Sequence, residues 1–284
     1  MTQDSGTQTT DLCALLARQI AERRLELPVL PAVATEVLSL CQQEATDAAR
    51  LSAVIHRDQS LAANVLRVAN SAAYVGQVPC GSLQQAVSRL GMQLITEIAV
   101  AVAVKGRVFA GSGCAELFRH LWRHAVMTGF FTKEIARQRR RNVEVAFLCG
   151  LLHDVGKAVL LANVARHVDS GDVQLADLAD GLQQHHAEVG AALAEGWKMP
   201  EQIVESIRCH HDYDRATKFS EAAMTVALAD LIAHFVEPTE DQAPLHADAL
   251  RQHPVLLGLN LYPDQLQQLL QLGDKAIALA EGMA

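Results

Sequence analysis

Seven side chains between positions 124 and 230 carry nitrogen and carboxylate donors in a fixed order: His124, His153, Asp154, His186, His210, His211 and Asp230. They sit in the stretches LWRHAVMTG, CGLLHDVGK, HHAEVGAALAEG, IRCHHD and VALADLIAHF. Imidazole mixed with carboxylate makes a borderline-to-hard donor set. It suits divalent Fe, Mn, Zn or Ni, and Mg less well, in one or two ions. A single His-Asp dipeptide arises often by chance. The ordered series from 124 to 230 is the informative signal.

The spacing also constrains the backbone. His153 and Asp154 are adjacent, and neighbours within a helix diverge by roughly 100°. Gly156, two residues on, implies that the helix stops there, so that both side chains turn to one ion. His210 and His211 pose the same problem, and Asp212 to Asp214 read as another helix end. His185 competes with His186, and the HAEVGA register favours His186. His120 lies one turn from His124, and the WRH register favours His124. Asp230 has apolar neighbours, which favour a buried ligand over a cap. His56, His167, His234, His246 and His253 read as structural or surface residues.

The elements that must position these groups are helical. Half of the 284 residues are apolar but only 4% are aromatic. Ala and unbranched side chains, which lose little freedom in a helix, supply much of the chain. Ser60 is expected to cap LAANVLRVAN, and Ser82 to cap SLQQAVSRL, which stops at Gly91. Met92 to Val104 reads as a buried helix. The Gly-rich KGRVFAGSGC at 105–114 reads as a lobe boundary. Helices are then expected over about 115–138, 143–153, 155–165, 174–196, 200–210, 219–236 and 262–282. The division is a disordered tail at 1–9, a helical lobe at 10–108 and a metal-site lobe at 109–284.

Charge and cysteine usage narrow the class. A net charge of -8 opposes binding to a phosphate backbone, so no nucleic-acid partner is expected. Arg137, Arg139, Arg140 and Arg141 lack interleaved aromatics and read as a solvated helix C-terminus. The six cysteines form no CxxC pair and read as reduced, mostly buried thiols of a cytosolic protein. MTQDSGTQTT lacks the apolar core of a signal peptide. The longest apolar run, Ile98 to Val104, is too short for a bilayer. A cytoplasmic protein without membrane contact is expected.

GLLHDVGK resembles the defining motif of the HD superfamily of metal-dependent phosphohydrolases. The wider His and Asp series is similar to the ligand series of its HD-GYP branch. In the first half, LPVLPAVATEVLSL, LSAVIHRDQSLAANVLRVANSAAYVG and SLQQAVSRLGMQLI are similar to hallmark stretches of the HDOD family. That resemblance implies an all-α fold, with a helical N-terminal lobe followed by an HD-superfamily helical bundle. It also implies a bacterial signalling or scaffolding module in which activity is not the family expectation. All seven ligand positions keep a ligand residue. HDYDRATKFS stands after His210 where HD-GYP proteins carry Glu and Gly-Tyr-Pro, a departure that opposes cyclic di-GMP hydrolysis.

Two functions follow from the resemblance. The first is a signal-transduction module with a retained metal site, which binds signalling proteins or a small phosphorylated ligand. The alternative is a metal-dependent phosphohydrolase acting on a nucleotide, cyclic dinucleotide or small phosphoester. In the alternative, metal held partly by Asp154 lowers the pKa of a bridging water, and Lys157 meets a phosphate oxygen. The bland reading of Lys157 is an exposed surface lysine. Asn70 and Ser71 match the family's NS pair and read as local hydrogen-bonding residues. Oligomeric state and metal identity stay open.

Overall fold

No strand occurs among the described residues, so the all-helical expectation holds. The computed structural model describes residues 18–283, apart from 21, 23, 42–47, 75, 77, 110–113, 170–174 and 239–244. The expected disordered tail at 1–9 lies outside the described residues.

An extended segment at 24–31 leads into α1 (Ala32–Cys41), α2 (Ala48–His56), α3 (Gln59–Ala69) and α4 (Leu83–Val108). The cap of α3 is Asp58 and not Ser60. Asp58 has extended backbone, and its carboxylate accepts from the Leu61 N–H at 3.0 Å. Ser60 already lies inside the first turn, where its hydroxyl cannot serve as the cap. Ser82 does cap α4, accepting from the Gln85 N–H at 3.2 Å. Gly91 interrupts α4 with φ 84°, a conformation that glycine adopts without a Cβ penalty. The following turns bury Ile95, Ile98, Val100 and Val104.

After α3, the Asn70 side chain grips the Cys80 backbone from both sides. Its carbonyl accepts from the Cys80 N–H at 2.7 Å, and its amide donates to the Cys80 carbonyl at 3.0 Å. Asn70→Ala is expected to destabilise the protein by about 1–3 kcal/mol, because both backbone groups lose a partner in a part-buried place. Urea unfolding of the variant checks this, and a change under 0.5 kcal/mol would be inconsistent with that role.

The second half runs through α5 (Ala115–Gln138), α6 (Val143–Leu152), α7 (Val155–Asp169), α8 (Leu175–Gly196), α9 (Glu201–Cys209) and α10 (Ser220–Val236). The helix expected over 262–282 is instead two, α13 (Pro263–Leu270) and α14 (Gly273–Met283). Gly273 packs against Val236, where an added Cβ would sit 3.2 Å from Val236 Cγ1. Two short helices that the sequence reading missed precede them, α11 (Ala247–Arg251) and α12 (Pro254–Gly258). The basic run is not simply solvated. Arg139 and Arg141 both hold Glu221 of α10, at 2.9 and 2.6 Å.

α4 joins the halves, packing on α1, α2 and α3 and meeting α6 and α7. The boundary expected at 105–114 is helical as far as Val108. Phe109 then packs edge-on against Trp122 with ring centroids 5.2 Å apart. Chain segments distant in sequence cross the junction. Trp197 Nε1 donates to the Pro28 carbonyl at 2.7 Å, and the Glu26 N–H donates to Asn163 Oδ1 at 3.0 Å. From α14, the Met283 carbonyl accepts from both Trp122 Nε1 and Lys105 Nζ, each at 3.0 Å.

Two stretches, Leu83–Val108 and Val145–Val164, have the length and hydropathy of a membrane span. Gly91 breaks the first. The second is two helices separated by the His153–Asp154 turn, and 78% of its most apolar window is buried. In the first, half of the most apolar window is buried.

Candidate metal centre

α6 ends at Leu152 and α7 begins at Val155, which leaves His153 and Asp154 in the turn between them. The turn lies directly on α8. A Cβ on Gly156 would meet the His186 carbonyl oxygen at 1.9 Å and Gly190 N at 2.8 Å. His186 comes from α8, and His210 and His211 follow the last residue of α9. His124 comes from α5 and Asp230 from α10. The two helix ends implied by the adjacent donor pairs therefore exist, and they let neighbouring side chains converge.

All seven predicted donors meet in one cluster. Asp154, His186, His210 and His211 form one group, and His124, His153 and Asp230 another, with donor atoms inside each group within 4.8 Å of one another. Asp154 faces both groups. Its Oδ1 lies 3.2 Å from His186 Nε2 and 3.7 Å from His210 Nε2. Its Oδ2 lies 3.3 Å from His153 Nε2 and 4.0 Å from His124 Nε2. Asp230 Oδ1 sits 2.8 Å from His124 Nε2 and 3.6 Å from His153 Nε2. His211, exposed at the edge, brings its Nε2 within 3.0 Å of His186 Nε2.

Three of the imidazoles are fixed from behind. Nδ1 of His153 bonds the Gly150 carbonyl at 2.7 Å, Nδ1 of His186 the Leu182 carbonyl at 2.9 Å, and Nδ1 of His210 the Ile207 carbonyl at 2.7 Å. A carbonyl only accepts, so each Nδ1 carries the hydrogen and each Nε2 turns toward the cluster. Metal-ligating histidines are commonly held this way. Buried His153 Nε2 and Asp154 Oδ1 make no hydrogen bond of their own. A buried polar atom without a partner costs about 1–3 kcal/mol, and a cation between the groups would satisfy both. The donor set and the orphaned atoms fit a divalent ion.

The charges agree with that fit. Burial works against Asp154, yet Lys157 and His153 hold its carboxyl well below the usual range. Burial also opposes Asp230, which the neighbouring His124 and other imidazoles keep well below its usual value. His186 is pushed down to about 4 by burial, and burial lowers His210, His211 and His124 as well. Burial pushes His153 down too, but Asp154 and Asp230 outweigh it and raise it to about 10. The cluster thus combines two carboxylates, four neutral imidazoles and one imidazole that carries a proton until a cation replaces it.

Two residues differ from the sequence reading. Lys157 is no surface lysine: its ammonium lies 2.6 Å from Asp154 Oδ2 and its side chain is 13% exposed. His234, read as structural or surface, joins the site. Its Nε2 lies 3.3 Å from Asp230 Oδ1, and its ring stacks on His124 at 4.3 Å. The signal for it was its place four residues after Asp230, on the same helix face. His120 is exposed and pairs with Glu116, and His185 is outside the cluster.

The HDOD domain profile matches residues 27–213, more than half of the chain. The chain belongs to the HDOD family. An uncharacterized protein of Treponema pallidum (strain Nichols) is 28% identical to this HDOD chain over 250 residues, which cover 81% of this chain and 46% of that protein. The chain thus spans under half the length of that relative. An HDOD domain protein of unknown function from Geobacter sulfurreducens has a similar structure, with TM-score 0.73 and 26% identity over 96% of this chain and 97% of that one. A Shewanella amazonensis SB2B protein with a provisional phosphohydrolase designation matches with TM-score 0.70 and 25% identity. That match covers 98% of this chain and 100% of the other.

Proposed function

We propose that this HDOD protein is a signal-transduction module whose second half holds a two-ion divalent-metal centre and uses it to bind a small phosphorylated ligand. The observation that carries this reading is Asp154, whose two oxygens face different histidine sets while locked imidazoles aim Nε2 at both. Bound Fe, Mn, Zn or Ni would supply Lewis acidity and activate a coordinated water. His211 at the edge and His124, 11% exposed, mark the side from which a phosphate would approach. Equilibrium dialysis against Mn or Zn followed by elemental analysis tests the centre. Two equivalents per chain are expected, with a loss of at least one in His186→Ala. A wild-type chain that takes up neither of these metals nor Fe at neutral pH would sink the proposal.

Hydrolysis is the second reading, favoured by Lys157 beside Asp154, where an ammonium would meet negative charge building on a phosphate. The segment after His211 argues against the HD-GYP reaction in particular. It forms a 3-10 turn at Tyr213–Arg215, after which Glu205 takes the backbone N–H groups of Thr217 and Lys218. Metal-loaded protein that cleaves bis(p-nitrophenyl) phosphate, with the activity lost in His153→Ala, would favour this second reading. Equal rates in both would trace the hydrolysis to a contaminant.

A further inference from the structure

We propose that the cavity at the junction of the two halves is a second ligand-binding site, for a small uncharged molecule with an apolar body and one hydrogen-bond donor. The cavity measures about 230 Å³ and is separate from the metal centre, none of whose donors line it. Its floor is apolar and buried: Val100 from α4, Leu148 from α6 and Ile203 from α9. Trp197 forms a wall. The rim is polar, with Thr35 and Ser39 exposed on α1. An apolar interior with few polar groups is the ordinary anatomy of a ligand pocket, and this volume lies just under the roughly 300–1,000 Å³ of drug-sized sites.

Gln93, Thr96, Glu97 and Lys198 are the other polar residues of the lining, and Glu97 is the buried ionisable one. The Glu97 carboxylate lines the cavity although it is only 3% exposed. Lys133 Nζ, from the other half, lies 2.5 Å from Glu97 Oε2. The pair is neutral overall and the other ionisable lining residue, Lys198, is exposed, so a charged group in the buried part would gain no net counter-charge and would lose its hydration. A carboxylate has about four acceptor positions, so an O–H or N–H of a neutral ligand suits it. The walls also belong to the elements of the metal centre. Leu148 lies on α6, which His153 directly follows, and Ile203 on α9, which His210 directly follows. Filling the cavity would hold those two helices against α1 and α4.

Cyclohexanol is the probe, titrated into the full chain while tryptophan emission is followed, since Trp197 lines the cavity. A saturable change is expected, together with a rise in melting temperature. Ser39→Phe at the exposed rim and Val100→Phe at the floor are each expected to abolish both signals while circular dichroism stays helical. Methoxycyclohexane, which lacks the donor, is expected to bind at least tenfold more weakly. No saturable change in the wild type would overturn the site, as would an unchanged titration in whichever of the two variants folds. Equal binding of the ether would overturn the role of Glu97. Because none of these readouts involves metal, they stand or fall separately from the metal centre.

Discussion

Asp154→Ala is expected to abolish metal uptake and to destabilise the metal-free protein by about 3–5 kcal/mol, the usual cost of stripping one partner from a buried ion pair. Asp154 is 3% exposed, and its loss leaves the Lys157 ammonium without the carboxylate 2.6 Å away. The protonated His153 loses one of two counter-charges. Urea unfolding in the presence of a chelator reads the stability, and elemental analysis reads the metal. Asp154→Ala combined with Lys157→Met should recover much of the stability but none of the metal, because the stranded cation is gone while the ligand is still missing. Full metal uptake by the single variant would refute the bridging role.

Gly156→Ala is expected to cost about 3 kcal/mol or more, at the upper end of overpacking effects. The added carbon would meet the His186 carbonyl oxygen at 1.9 Å, and neither backbone can rotate away as a side chain could. The turn and α8 must separate, which takes His186 away from Asp154. Metal uptake should therefore fall along with stability. Gly106→Ala, on α4, is the contrast: nothing lies within 4 Å of its new Cβ, and a change within about 1 kcal/mol, in the stabilising direction, is expected from helix propensity. If the two substitutions have similar costs, the close crossing of α7 and α8 does not constrain the site.

The donor series was legible because each donor type is chemically distinctive and because the paired donors required helix ends. Those ends are seen after Leu152 and Cys209. The strong periodicity of Ala115–Gln138 made that helix readable to its limits. What escaped depends on partners far away in sequence. The close approach of Gly273 to Val236, thirty-seven residues earlier, is one such contact. The basic run reads as solvated until Glu221, some eighty residues on, is placed beside it. Lys157 reads as a surface lysine in isolation, since its burial follows from the packing around Asp154. His234 was missed for a different reason. The i,i+4 relation to Asp230 was visible, but the fixed family series left no place for an eighth member.

The bonds that α14 makes have a consequence for synthesis. Arg67, Lys105 and Trp122 take carbonyl partners that lie 215, 178 and 161 residues later in the chain. A ribosome adding about 5–20 residues per second delivers those partners on the order of ten seconds or more after the three side chains have been made. During that interval the side of α5 on which α14 packs is uncovered. Helix α14 is therefore a latch that arrives long after the side chains it closes over.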